Sequence, residues 1–91
     1  AAAMQTVGAA FASYEIVKYL LAAYAFEQAE RVCYRSLDVA CEAVGDGETA
    51  AVCRQIQAEE EAMAGLLWQE LPQTVRLHLS RMQAAAPEAR R

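Results

Sequence analysis

The sequence predicts an all-α fold, and three observations carry that prediction. Hydrophobic residues make up 56% of the 91 residues, while Gly and Pro number only four and two, a balance that favours helix over sheet. Apolar residues recur at helical spacing from about Ala9 to Val44 and again from about Glu48 to Glu70. Between the two stretches stands Gly45-Asp46-Gly47, the clearest punctuation in the chain, so a tight helical hairpin is expected.

The first helix is expected over about 9–44, a span without Gly or Pro. Its apolar positions are Val17, Leu20, Leu21 and Tyr24, then Phe26, Cys33, Leu37, Cys41 and Val44. At 1.5 Å per residue it would run roughly 50 Å, long for a domain of this size, so a bend near residues 14 to 20 is expected. Gly45 suits the left-handed position that ends a helix, and Asp46 suits the start of the next. The second helix, about 48–70, repeats apolar residues at Val52, Cys53, Ile56, Met63, Leu66 and Leu67, with Trp68 at its end. Pro72 is expected to close it. Val75, Leu77, Leu79 and Met82 predict a short C-terminal helix over about 73–82, and Gln83 to Arg91 a frayed end. All of this forms one domain over 1–91. Folding at this size buries only roughly 60 to 65% of the surface, which makes oligomerisation the expected source of further stability.

Charge narrows the function classes. The net charge is −4. Residues 1–70 hold eleven acids and four bases, a balance of −7, and residues 71–91 hold one acid and four arginines, a balance of +3. An acidic body argues against nucleic-acid binding, and Arg76, Arg81, Arg90 and Arg91 are sparse enough to read as solvated. Cys33, Cys41 and Cys53 form no C-x-x-C pair, which fits a reduced, intracellular setting in which they serve as small apolar residues. The most apolar window, 7–26, carries Glu15 and Lys18, and no basic region precedes an apolar core. The expectation is a cytoplasmic chain with no membrane partner. The opening Ala-Ala-Ala-Met, without a helix-start signal, reads as the beginning of a piece of something longer.

Two acid clusters lie on these otherwise apolar helices. Glu30 falls between Phe26 and Cys33 and in line with Leu37, with Glu27 one turn earlier beside Tyr24. Glu60 falls in the Cys53, Ile56, Met63, Leu67 row, and Glu59 borders the Val52, Ile56, Met63, Leu66 row. Buried carboxylates are penalised by several kcal/mol unless a metal, an arginine or a proton compensates them. Glu27, Glu30, Glu59 and Glu60 are therefore the candidate metal ligands. The plainer reading pairs Glu27 with Arg31 one turn on, for about 0.2 to 0.5 kcal/mol, and leaves Glu59-Glu60-Glu61 partly solvated. Tyr34 is either a hydroxyl near the acids or a packing residue. His78, the only histidine, lies beyond Pro72 and is read as exposed or end-packing.

Tyr24-Ala-Phe-Glu-Gln-Ala-Glu30, Tyr34-Arg-Ser-Leu37, Glu42-Ala-Val-Gly-Asp46, Glu59-Glu-Glu-Ala-Met-Ala64 and Leu71-Pro72 together resemble the YciF-type family of bacterial ferritin-like proteins, over about residues 20 to 80. The resemblance implies the last two helices of a ferritin-like four-helix bundle and a link to bacterial stress responses. It matches Glu27 and Glu30 to the Glu-x-x-Glu of the family's third helix and Glu60 to the acid of the fourth. Gln28 and Met63 stand where histidines are expected. The bundle would be completed by missing N-terminal helices or by self-association into a homodimer or higher homo-oligomer. A site made of carboxylates alone favours a hard cation such as calcium, magnesium or manganese, or an incomplete iron site, or stays empty and proton-neutralised. No catalytic residue is assigned, and ferroxidase-type activity is not expected. The alternative function is a non-catalytic helical hairpin for interaction or dimerisation.

Overall fold

The computed structural model describes residues 2–89, with side chains as far as Pro87. It is all-helical: α1 spans Ala2–Ala43 and α2 spans Gly47–Ala89, with no strand among the described residues. No helix of the described residues is long and apolar enough to cross a membrane.

The turn between the helices is built by hydrogen bonds that the local residue types demand. Gly45 takes φ 81°, a conformation that a Cβ disfavours. Its N–H bonds the Glu42 carbonyl at 3.1 Å, and the Asp46 N–H bonds the Cys41 carbonyl at 2.8 Å. This pair of bonds satisfies the last carbonyls of α1 in a Schellman arrangement. Asp46 then caps α2. Its Oδ1 accepts from the Thr49 N–H at 3.1 Å, its Oδ2 accepts from the Thr49 hydroxyl at 2.6 Å, and its own carbonyl accepts from the Ala50 N–H at 3.1 Å. The Thr49 bonds hold the Asp46 carboxyl below its ordinary titration range.

Several expected boundaries are corrected. α1 starts at Ala2 rather than near Ala9, and it is continuous through residues 14–20. Pro72 does not close the second helix: α2 continues through it to Ala89, and the expected short helix over 73–82 is part of α2. The expected frayed end, Gln83 to Arg91, is helical as far as Ala89, while Arg90 and Arg91 lie outside the described residues. Proline removes the bond to the Trp68 carbonyl and crowds it, at about 3 kcal/mol. Trp68, Gln69, Glu70 and Pro72 are exposed, so water can take the freed carbonyl. Beyond Pro72, packing holds the helical path, because Thr74, His78 and Arg81 are half-buried and Ala85 is buried.

The chain divides into two compact units, one of Ala1–Ala22 with Gln69–Arg91 and one of Ala23–Trp68. In the first, Ser13 is 1% exposed and its hydroxyl lies 2.8 Å from His78 Nδ1. The same hydroxyl donates its one proton to the Ala10 carbonyl at 2.9 Å. Tyr14 stands beside the imidazole, with ring centroids 5.7 Å apart. His78, read as exposed or end-packing, is half-buried on α2 beside Ser13 and Tyr14.

The second unit holds the turn and pairs α1 with α2 along two rows spaced alternately by three and four residues. Tyr24, Glu27, Arg31, Tyr34, Asp38 and Cys41 form one row, and Ala50, Cys53, Gln57, Glu60, Ala64 and Leu67 form the other; every one is buried or half-buried. The rows are mostly polar or small. The large apolar residues of the sequence pattern stand outside them: Phe26, Leu37, Val52, Met63 and Leu66 are 47 to 63% exposed. Along one edge of the paired rows run the contacts of Arg54 with Glu42, Arg31 with Glu61 and Tyr24 with Trp68. Helical periodicity places Phe26, Glu30, Cys33 and Leu37 of α1, and Val52, Ile56, Glu59, Met63 and Leu66 of α2, along the opposite edge. The unit thus has an ionic face and an open apolar face.

Candidate metal centre

Three of the four predicted ligands come together in the second unit. Glu27 and Glu30, one turn apart on α1, meet Glu60 of α2, with one carboxylate oxygen of each lying within 4.8 Å of the others. All three are half-buried. The Glu60 Oε2 is shielded from solvent and has no hydrogen-bond partner. Glu27 and Glu60 belong to the paired rows, while Glu30 stands on the apolar edge, so the cluster opens toward that face. Glu59 is not brought in: it is exposed, and its Oε1 accepts from Gln55 Nε2 at 3.3 Å. The reason is rotational, since one residue turns a helix by about 100° and only one of two adjacent glutamates can reach the seam.

The residues standing in place of the expected histidines add no donor nitrogen. Gln28 Oε1 accepts from Arg31 Nη1 at 3.0 Å, and Met63 is 47% exposed. Arg31 also reaches Glu61 at 3.9 Å. The pairing expected for Glu27 with Arg31 is thus replaced by Arg31 contacts to Gln28 and Glu61, and Glu27 joins the cluster. Tyr34 is half-buried, and its backbone carbonyl accepts from Gln57 Nε2 at 3.4 Å.

A second buried acid was missed by sequence reasoning. Asp38 is 2% exposed. Its carboxylate accepts from Arg54 at 2.9 Å, from Arg35 at 3.2 Å and from Gln57 at 3.4 Å. Burial pushes its carboxyl up, but the Gln57 bond, the charge and bond of Arg54 and the Arg35 bond together hold it below its ordinary range. The signal was in the sequence: Asp38 continues the three-four spacing of Tyr24, Glu27, Arg31 and Tyr34. The two buried acidic positions therefore differ in kind. Asp38 is saturated by its own chain's donors and closes the hairpin, whereas the Glu60 cluster gathers negative charge and leaves an acceptor open.

The cluster offers an all-oxygen donor set. Three carboxylates supply oxygen donors only, which suits divalent ions that take oxygen ligands and keep bound water. An orphaned, desolvated carboxylate oxygen among like charges is the position a cation compensates most.

A family model described as a domain of unknown function (DUF892) matches residues 1–80. The chain belongs to this family. No solved structure matches the chain. The match covers both helices through the whole carboxylate cluster and beyond Pro72.

Proposed function

We propose that the chain is a ferritin-like protein of the YciF type, active in the bacterial stress response, and that Glu27, Glu30 and Glu60 bind manganese or iron. The observation that carries this reading is the Glu60 Oε2, buried and unpartnered inside a cluster of three carboxylates. A bound divalent ion supplies positive charge and a Lewis-acid or redox centre. The chain's own residues do the rest: Glu27 and Glu30 present oxygens from successive turns of α1, and Glu60 presents its own across the seam. The lack of donor nitrogens argues for a degenerate site that binds without ferroxidase turnover.

Self-association completes the proposal. The apolar edge with Phe26, Leu37, Val52, Ile56, Met63 and Leu66 also carries Glu30. A second copy laid on it in a homodimer or higher homo-oligomer would cover both the apolar side chains and the mouth of the cluster. The bacterial cytoplasm is the setting this reading requires.

The test is elemental analysis of the purified protein, followed by titration of metal-free protein with Mn²⁺ and, without oxygen, Fe²⁺. Glu30→Ala and Glu60→Ala are expected to abolish uptake while circular dichroism stays unchanged. Uptake retained in both variants would refute the site. The exposed apolar edge favours a second reading, a helical interaction or dimerisation module whose acids bind no metal. It predicts no metal in any preparation and an oligomer that Leu37→Glu converts to monomer in sedimentation. Because Leu37 is 50% exposed, that substitution leaves the hairpin's own packing intact.

A further inference from the structure

Near the turn, the paired rows bring two thiols together from different helices. Cys41 is half-buried on α1 and Cys53 is 5% exposed on α2. The two cysteines face each other in the paired rows, because the residues that follow them, Glu42 and Arg54, form an ion pair at 2.9 Å. The flanking contacts fix this register. On one side Asp38, three residues before Cys41, holds Gln57, four residues after Cys53. On the other the Gly45 turn closes onto Cys41 through the Asp46 N–H, and Ala50, fully buried, presents only a methyl group. A small residue in that layer lets the backbones approach, as a disulfide requires.

We propose that Cys41 and Cys53 are an oxidative modification site that forms a reversible cross-helix disulfide, driven by exchange with a low-molecular-weight disulfide. Cys41, the more accessible thiol, loses its proton and attacks one sulfur of the small disulfide. The S–S bond of the reagent breaks, and one small thiol leaves with a proton. Cys53 then loses its proton and attacks the Cys41 sulfur of the mixed disulfide, expelling the second small thiol. Two protein thiols are oxidised by two electrons, and one small disulfide is reduced to two thiols. Burial, Cys53, Asp46 and Asp38 all push the Cys41 thiol up, so Cys41 rests as a neutral thiol in reducing conditions. Cys33 is exposed two turns earlier on the open apolar edge and serves as an internal comparison.

The bond would close a short loop around the capped turn, which removes conformational freedom from the unfolded chain and raises the melting temperature by roughly 10 °C or more. The experiment incubates the reduced full chain with oxidised glutathione, alkylates it after denaturation and digests it. Trypsin cuts after Arg31, Arg35 and Arg54, so Cys41 and Cys53 fall on one peptide, residues 36–54, and Cys33 on another, residues 32–35. The expected product is peptide 36–54 lighter by two hydrogens and refractory to alkylation, with glutathione retained only at Cys33. Cleavage after Glu42 or Glu48 then shows its two halves joined. In Cys53→Ser, glutathione is expected to stay on Cys41. A peptide 36–54 that carries two alkyl groups or a stable adduct in the unsubstituted chain would overturn the proposal, as would a linked form that melts lower than the reduced protein.

Discussion

Replacing Glu60 by Gln is expected to stabilise the metal-free protein and to remove its response to metal. Two unit charges no more than 4.8 Å apart repel by at least about 0.9 kcal/mol at the dielectric constant of water and about 3.5 kcal/mol at an effective value of 20. The three glutamates are half-buried, so the lower end applies. Glu60→Gln deletes two of the three repulsive pairs, for about 2 kcal/mol, which salt screening at 0.15 M reduces to about 1 kcal/mol. The substitution also keeps the side-chain shape and turns an orphaned acceptor position into one that can donate to Glu27 or Glu30. At about 4 to 8 °C per kcal/mol for a domain of this size, the melting temperature rises by roughly 4 to 16 °C. The assay is thermal unfolding by circular dichroism after chelation, repeated at low and high salt and with added Mn²⁺. Unsubstituted protein is expected to gain about 2.7 kcal/mol when metal stands at a hundredfold its dissociation constant, and the Gln variant to gain almost nothing. A Gln variant that melts below the parent without metal, or that gains as much from metal, would refute the charge argument.

Two further predictions test the hairpin itself. Asp38 titrates below its ordinary value of 3.8, so its stabilising contribution is complete above that value and is lost as the pH falls through the lower folded-state value. Asp38→Asn is therefore expected to melt lower at pH 7, where it leaves Arg54 and Arg35 without their acceptor, and to show a shallower loss of stability on acidification below about pH 4; an unchanged acid profile refutes the assignment. Gly45→Ala places a Cβ where nothing lies within 4 Å but φ is +81°, so its cost is conformational alone, about 1 to 2 kcal/mol in chemical denaturation with an unchanged denaturant slope.

Much of the fold was legible in the sequence because its signals are local. Gly45 and Asp46 end one helix and start the next through bonds within a few residues, and no distant group can override them. The all-helical character follows from composition and spacing in the same way. Pro72 misled because its penalty is also local, about 3 kcal/mol, and packing by Thr74, His78, Arg81 and Ala85 outweighs it.

The candidate site was legible in part. Glu27, Glu30 and Glu60 could be picked out as acids in apolar surroundings, but Glu59 could not be separated from Glu60. Telling adjacent residues apart requires the rotation of α2 about its axis, which contacts across the seam set. The same rotation decided the core. Periodicity marked the rows through Phe26, Leu37, Met63 and Leu66 as the buried face, and the fold of the single chain instead turns Asp38, Glu60, Gln57 and Ala64 inward and leaves those rows exposed. The helices, the turn and the anomalous acids can be read along the chain, because each rests on sequence neighbours. Which carboxylates converge, which acid Arg35 and Arg54 neutralise, and which apolar face stays open emerge with the packed hairpin, because these depend on how two helices are rotated against each other.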